Sequence, residues 1–292
     1  MTAIYTFLTV HRPAPHTMAS ALAGALGVEP GDVDVADEDT GRTDDRNWDA
    51  PVLCTHHSVA GDVTLAWDVS VSDAVAAPPT EAEAAARLAD RLRTTVLYPA
   101  QETPPSAYWA AGPDGTVTRA RLVEGDGDFP VHLVDAVEAP MEQLPEARVE
   151  VLAEILREER VETPVTDAFA AAADPHGYAP ATSTVNRARE ALLLWERMVR
   201  RIDAGWLPTG RYPFELYAED LRTRDGLAEP AGADDAERDL VRRAVAELDE
   251  VFRRRTEDDG GALLGRLTGS GTAVAARGWW WQRRPSALPW DS

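Results

Sequence analysis

Hydrophobic positions in the first half of the chain fall into short alternating runs separated by stretches of helical spacing. Ala3–Val10 alternates as a strand. Met18, Leu22 and Leu26 recur at four-residue spacing within Thr17–Leu26, and Gly27 is placed to stop that helix. Val33–Val35 predicts a short strand. From Ser58 to Val71, Val59, Val63, Leu65, Trp67, Val69 and Val71 alternate around a turn at Gly61–Asp62, which predicts a hairpin or one long strand. Thr80 and Glu83 have the spacing of a capping box, opening a helix to about Arg93 with Leu88 and Leu92 inward. Thr95–Tyr98 follows as a strand. Ala107–Ala111 and Thr116–Val123 flank Pro113-Asp114-Gly115, where Pro fixes φ and Gly accepts a positive one, so a hairpin is predicted.

The second half carries helical periods instead. Val149–Glu159 offers Leu152, Ile155 and Leu156 on one face. Asn186–Trp206 places Leu192, Trp195, Val199, Ile202 and Trp206 on another. Asp234 and Glu237 form a second capping-box pattern, followed by Val241, Val245, Leu248 and Phe252, with Asp249–Arg253 and Glu250–Arg254 as i,i+4 pairs. Pro175–Pro180, Thr223–Ala233 and Gly260–Gly271 read as loops or connections. The element order predicts an α+β protein. The same order predicts a split βαβ, ferredoxin-like sandwich with an added hairpin over residues 1–140, and over 141–292 a helical domain closed by a Trp-rich C-terminal strap.

Charge changes this picture more than composition does. The 292 residues hold 29 basic and 50 acidic side chains, a net charge of -21, and every basic residue is Arg. Without Lys there is no P-loop or kinase phosphate-binding Lys, no Schiff base and no Ser–Lys dyad. The charge is lopsided: residues 1–150 carry net -16 and residues 151–292 net -5. Eight acids crowd Asp32–Asp49, namely Asp32, Asp34, Asp37, Glu38, Asp39, Asp44, Asp45 and Asp49. Counted from Asp37, Gly41 falls at position 5 rather than 6, so this is no EF-hand loop. A solvated loop is one reading, and a docking surface for a basic partner, centred on Asp37, Asp39, Asp44 and Asp45, is the other.

Candidate chemistry is sparse. The single cysteine, Cys54, excludes an internal disulfide and a thiolate zinc cluster. It opens Cys54-Thr55-His56-His57-Ser58, in which an extended backbone puts Cys54 and His56 on one face and His57 on the other. That makes Cys54, His56 and His57 the candidate catalytic residues. Arg119 and Arg121, two apart on a strand, are candidates to bind an anionic substrate. His11 and His16 flank prolines in a loop pattern, and His132 and His176 stand alone. Gly269-Ser270-Gly271 lacks the strand that a dinucleotide fingerprint needs. Trp279, Trp280 and Trp281 stand in a row near Arg277, Arg283 and Arg284. They read as a strap buried against the chain itself or as a protein-binding surface. The net charge disfavours nucleic acid and anionic lipid. Neither a signal-peptide pattern nor 18 consecutive apolar residues occur, which predicts a cytoplasmic protein with no membrane segment. No cofactor or metal motif is present.

Three functions fit. The first is a non-catalytic, immunity- or inhibitor-like protein that docks a basic protein partner. The second is an enzyme with an inter-domain cleft, using His56 or His57 as acid and base on an anionic small molecule. The third is a structural component of a protein assembly, anchored by its Trp-rich tail.

Overall fold

A computed structural model describes residues 3–41, 46–101, 103–125, 131–207, 209–228, 232–269, 274 and 277–290. The chain divides into two compact units, Met1–Glu159 and Arg160–Ser292. Counted on these bounds, the first carries net -18 and the second net -3. It is an α+β protein with eight α-helices among the described residues.

Unit 1 contains β1 (Ala3–Thr9), α1 (Pro15–Leu26), β2 (Val33–Asp37), β3 (Val52–Ser58), β4 (Ala60–Gly61) and β5 (Leu65–Val71). It continues with α2 (Glu81–Leu92), β6 (Val96–Pro99), β7 (Ala107–Ala111), β8 (Val117–Gly125), β9 (Val131–Val137), β10 (Arg148–Val149) and α3 (Ala153–Glu158). The helix ends obey their local signals. Gly27 caps α1 at φ 73, and the Thr80–Glu83 box opens α2 with both reciprocal bonds made. One sheet holds all ten strands in the order β10-β9-β8-β7-β6-β1-β5-β3-β2, with β4 on β9. Within it, β6, β1, β5 and β3 are successive antiparallel neighbours. The edge strand β2 runs parallel to β3.

Strand alternation gives the sheet two apolar faces. On one, Phe7, Trp67, Val69 and Cys54 pack with Met18 and Leu22 of α1 and Leu88 of α2. On the other, Leu8, Ala66, Leu97, Ala110, Leu122 and Val134 pack with Met141 and Leu144. Of the alternation expected between Ser58 and Val71, Leu65–Val71 forms β5, whose hairpin partner β3 lies ahead of the expected range at Val52–Ser58, and the tip between them does more than turn. Strand β4 reaches β9, pairing Ala60 with Val131 and Gly61 with His132, which draws distant parts of the sheet order together. Asp62 locks the contact: its N–H donates to the His132 carbonyl at 2.9 Å, and its carboxylate accepts from Val134 N–H at 2.8 Å. Gly61 is required here. Its φ is +106, and a Cβ would stand 2.2 Å from the His132 carbonyl oxygen.

The expected helix Val149–Glu159 is shorter than its period. Arg148–Val149 pairs with β9 instead, Glu150 N–H donates to Val137, and the helix occupies only Ala153–Glu158. Leu152, Ile155 and Leu156 are nevertheless buried.

Unit 2 contains α4 (Pro164–Ala173), α5 (Thr184–Asp203), α6 (Phe214–Ala228), α7 (Asp235–Arg255), β11 (Thr256–Asp258), α8 (Ala262–Leu267) and β12 (Arg283–Pro285). Helix α6 overrides the loop expected from Thr223. Leu216, Tyr217, Leu221, Arg224 and Leu227 are buried along one face, and that burial outweighs the flexibility of Gly226. Helix α8 likewise replaces part of the connection expected over Gly260–Gly271, because Asp259 accepts the backbone N–H groups of Gly261 and Leu263. Of the two expected surface pairs on α7, Glu250–Arg254 forms at 3.7 Å. Asp249 does not pair with Arg253; it is buried against Arg224 on α6, at 2.7 Å. No helix among the described residues is long and apolar enough to cross a membrane.

Four aspartates that accept hydrogen bonds contribute to how this fold responds to acid. Ser58 donates to Asp39, Arg148 and Arg121 to Asp135, Thr116 to Asp114 and Ala179 to Asp174. Each set of donors holds its carboxyl below the ordinary Asp range. A carboxyl depressed in the folded state binds its proton more readily when unfolded. Its contribution is therefore present above the unfolded value of about 3.9 and is lost as pH falls through the lower folded one. Thermal unfolding followed from pH 6 to pH 2 should show stability falling in the acid limb, with a shallower fall in Asp39→Asn. An identical slope in that variant would contradict the assignment.

Candidate functional site

The acidic run and the histidine pair meet at one end of the sheet. Parallel pairing of β2 with β3 sets Asp37 directly opposite His56, so their side chains share a face. His56 Nδ1 lies 4.0 Å from Asp37 Oδ1. On the opposite face His57 Nδ1 lies 3.7 Å from Glu38 Oε2. A 3-10 turn, Glu38–Thr40, follows β2 and is fixed by Asp37, whose Oδ1 accepts the Asp39 N–H at 3.0 Å and whose carbonyl accepts Thr40 Oγ1–H at 2.9 Å. Asp39 then reaches β3, accepting Ser58 N–H at 2.8 Å. Arg12 donates to Ser58 Oγ and to the Thr64 carbonyl.

His56 sits beneath this surface. It is 6% exposed and lies against Trp67, ring centroids 4.7 Å apart; Trp67 in turn donates its indole N–H to Thr9. Neither imidazole nitrogen has a hydrogen-bond partner among the described residues. Cys54, two residues earlier on the same face, is fully buried, and desolvation pushes its thiol well above the ordinary value. An activated thiol needs the opposite shift, so at neutral pH Cys54 is a protonated core side chain. The arrangement can accept hydrogen bonds from a cation at Asp37 and Glu38. It lacks a thiolate for nucleophilic attack.

Asp34 belongs to the acidic run but is occupied by its own chain. Its carboxylate accepts Arg46 Nε–H at 2.8 Å and Asn47 N–H at 3.0 Å. The Arg46 guanidinium also lies 4.6 Å from the Trp48 ring, and Trp48 is left 61% exposed. Trp48 went unremarked in the sequence; its signal was a lone large aromatic inside an acidic stretch. Asp44 and Asp45 lie outside the described residues.

The two arginines expected to bind an anion are already neutralised. Arg119 is buried against Glu138 and Glu159, and Arg121 is held by Asp135, Glu150 and Glu154. The isolated His11, His16 and His176 are exposed on the surface. No group of three or more His, Cys, Asp or Glu side chains among the described residues is placed to hold a metal ion.

The tryptophan row is covered by its own unit. Trp280 and Trp281 both donate indole N–H to Asp225 Oδ1 at 2.8 Å and are buried. Each ring of the row carries a guanidinium: Arg253 at Trp279, Arg224 at Trp280 and Arg277 at Trp281, at 3.8, 4.1 and 4.2 Å. Farther on, Trp290 packs against Phe214 and Tyr217.

Comparisons with protein-family models, with curated proteins and with solved structures find no match for this chain.

Proposed function

We propose that this chain is a non-catalytic acidic binding protein, cytoplasmic and immunity- or inhibitor-like, which docks a basic protein partner through unit 1. The observation that carries this reading is the exposed end of β2, where Asp37 and Glu38 side chains are 38% and 53% exposed within a unit of net charge -18. A dense field of one sign steers an oppositely charged partner and sets its register. We further propose that the scaffold is a ferredoxin-like core. The order β6-β1-β5-β3, antiparallel throughout, with α1 and α2 in the crossovers, supports this, and β7–β10 and β2 would then be additions on its two sides. The enzyme reading has less support, since Cys54 is held as a thiol and the Arg119 and Arg121 guanidiniums are engaged by carboxylates.

Affinity capture from the native host lysate at graded salt tests the binding reading. A basic protein should be retained at low salt and released as salt rises. In Glu38→Arg/Asp44→Arg/Asp45→Arg, Asp37 and Asp39 stay in place because they hold backbone N–H groups. Exposed ion pairs contribute about 0.2–1 kcal/mol each, so three reversals should weaken capture at least about threefold. Undiminished capture by that variant would overturn the reading.

A further inference from the structure

We propose that the basic partner docks by laying an extended segment along the outer edge of β2 as a further strand, its Arg or Lys side chains on Asp37 and Glu38. This rests on the binding reading above. Strand β2 ends the sheet order and pairs only with β3 among the described residues. No other strand among the described residues pairs with its outer edge, and an unpaired edge is the position that strand addition uses. Val33-Asp34-Val35-Ala36-Asp37 contains no Pro, its pairing with β3 is regular, and the charges that guard it are both negative, which repel an acidic strand and not a basic one. Its charge selects the occupant. A second copy of this chain would set Asp37 and Glu38 against another acidic strand, whereas a basic segment meets complementary charge.

A second observation marks the same place. The His56 imidazole, 7% exposed, turns Nδ1 toward Asp37 and stops at 4.0 Å, beyond hydrogen-bonding distance, while neither ring nitrogen is satisfied elsewhere among the described residues. Buried polar atoms are normally paired, so this end of the strand is left incomplete in the free chain. An imidazole N–H that closes on Asp37 would orient the carboxylate over the edge once a cation sits there, making His56 a positioning residue. Trp48 adds an aromatic surface nearby, tethered to β2 through the bond from Asn47 to Asp34, with its ring already beside the guanidinium of Arg46. Exposed tryptophans are a recurrent anchor of protein interfaces.

Two labelled peptides test the proposal on the full chain: Arg-Val-Arg-Val-Arg-Val-Arg, and the same sequence with every internal backbone nitrogen methylated. Both carry the same charge, but only the first can add as a strand. The first should bind at least about tenfold more tightly, slow amide exchange across Val33–Asp37, and lose affinity in Asp37→Asn/Glu38→Gln. His56→Phe, which keeps a ring against Trp67, should weaken the first peptide in the parent chain and have no further effect in Asp37→Asn/Glu38→Gln, because it acts through Asp37. Equal binding of the two peptides, without protection of Val33–Asp37, would overturn strand addition while leaving a basic partner in place. Binding of neither would also overturn it, and the lysate capture would then decide the binding reading separately.

Discussion

Replacing Arg119 by Ala is expected to destabilise unit 1 by about 3–5 kcal/mol, the cost of leaving a buried charge without its partner. Arg119 and Glu138 have almost no exposed side-chain surface and meet at 2.9 Å. The same guanidinium reaches both oxygens of Glu159 at 2.9 and 2.8 Å, and it lies 4.8 Å from the Trp109 ring. Glu138 also accepts the Leu152 N–H at 3.2 Å, so one buried cation ties β7, β8 and the residue ahead of α3 to a buried anion at the end of β9. Removing it takes away the cation that faces the buried Glu138 carboxylate. The loss should appear as a lower urea midpoint for amide exchange in β8 and β9, a local readout suited to a chain of two compact units. Arg119→Met/Glu138→Leu removes both charges together and should recover much of the loss. A destabilisation below about 1 kcal/mol in the single variant would show that the pair is not what holds this corner.

The same network explains what could be read from the sequence and what could not. Strands β1, β5, β6, β7 and β8 announce themselves by alternation because each side of the sheet meets apolar cover at every second residue. Capping boxes at Thr80 and Asp234 act within four residues, so they are visible locally. Strand β9 lacked such a signal. Its own alternation, Val131-His132-Leu133-Val134-Asp135, is broken, and its place is fixed by β8 and β4, which lie far away in sequence. Helix α4 is similarly non-local. Glu196, fully buried on α5, accepts the backbone N–H groups of Val165 and Thr166 and thereby caps a helix some 30 residues upstream.

The candidate site was half visible. Alternation puts Cys54 and His56 on one face and His57 on the other, and the structure has them so. That Asp37 stands opposite His56 depends on register between two strands joined by fourteen residues, which no local pattern encodes. The partners of Arg119 and Arg121 were equally hidden. Two arginines at i,i+2 look like an anion site in sequence, while five carboxylates from β9 to α3 and just beyond it had already claimed them.

Trp281→Ala should cost unit 2 about 3–5 kcal/mol, the range for deleting a large buried aromatic. The side chain is 1% exposed, and its ring lies against the Arg277 guanidinium. Its N–H shares Asp225 Oδ1 with Trp280, so the substitution also removes one of two hydrogen bonds that pin the tail to α6. Asp225→Asn separates these contributions. It keeps an oxygen acceptor for the indoles but loses the charge facing Arg277 at 3.7 Å, so its cost should be well under half that of Trp281→Ala. The contrast decides what the Trp row does. If its indoles serve the chain's own packing, Trp281→Ala will broaden or lower the unfolding transition reported by amide exchange in α6 and α7, with or without any partner present. Native exchange in those helices, combined with loss of an assembly, would instead assign the row to an interface and revive the structural-component reading. Trp279 offers the internal control. It lies beside Phe252 and Arg253 and is less buried than its two neighbours, so Trp279→Ala should cost less than Trp281→Ala if burial sets the scale.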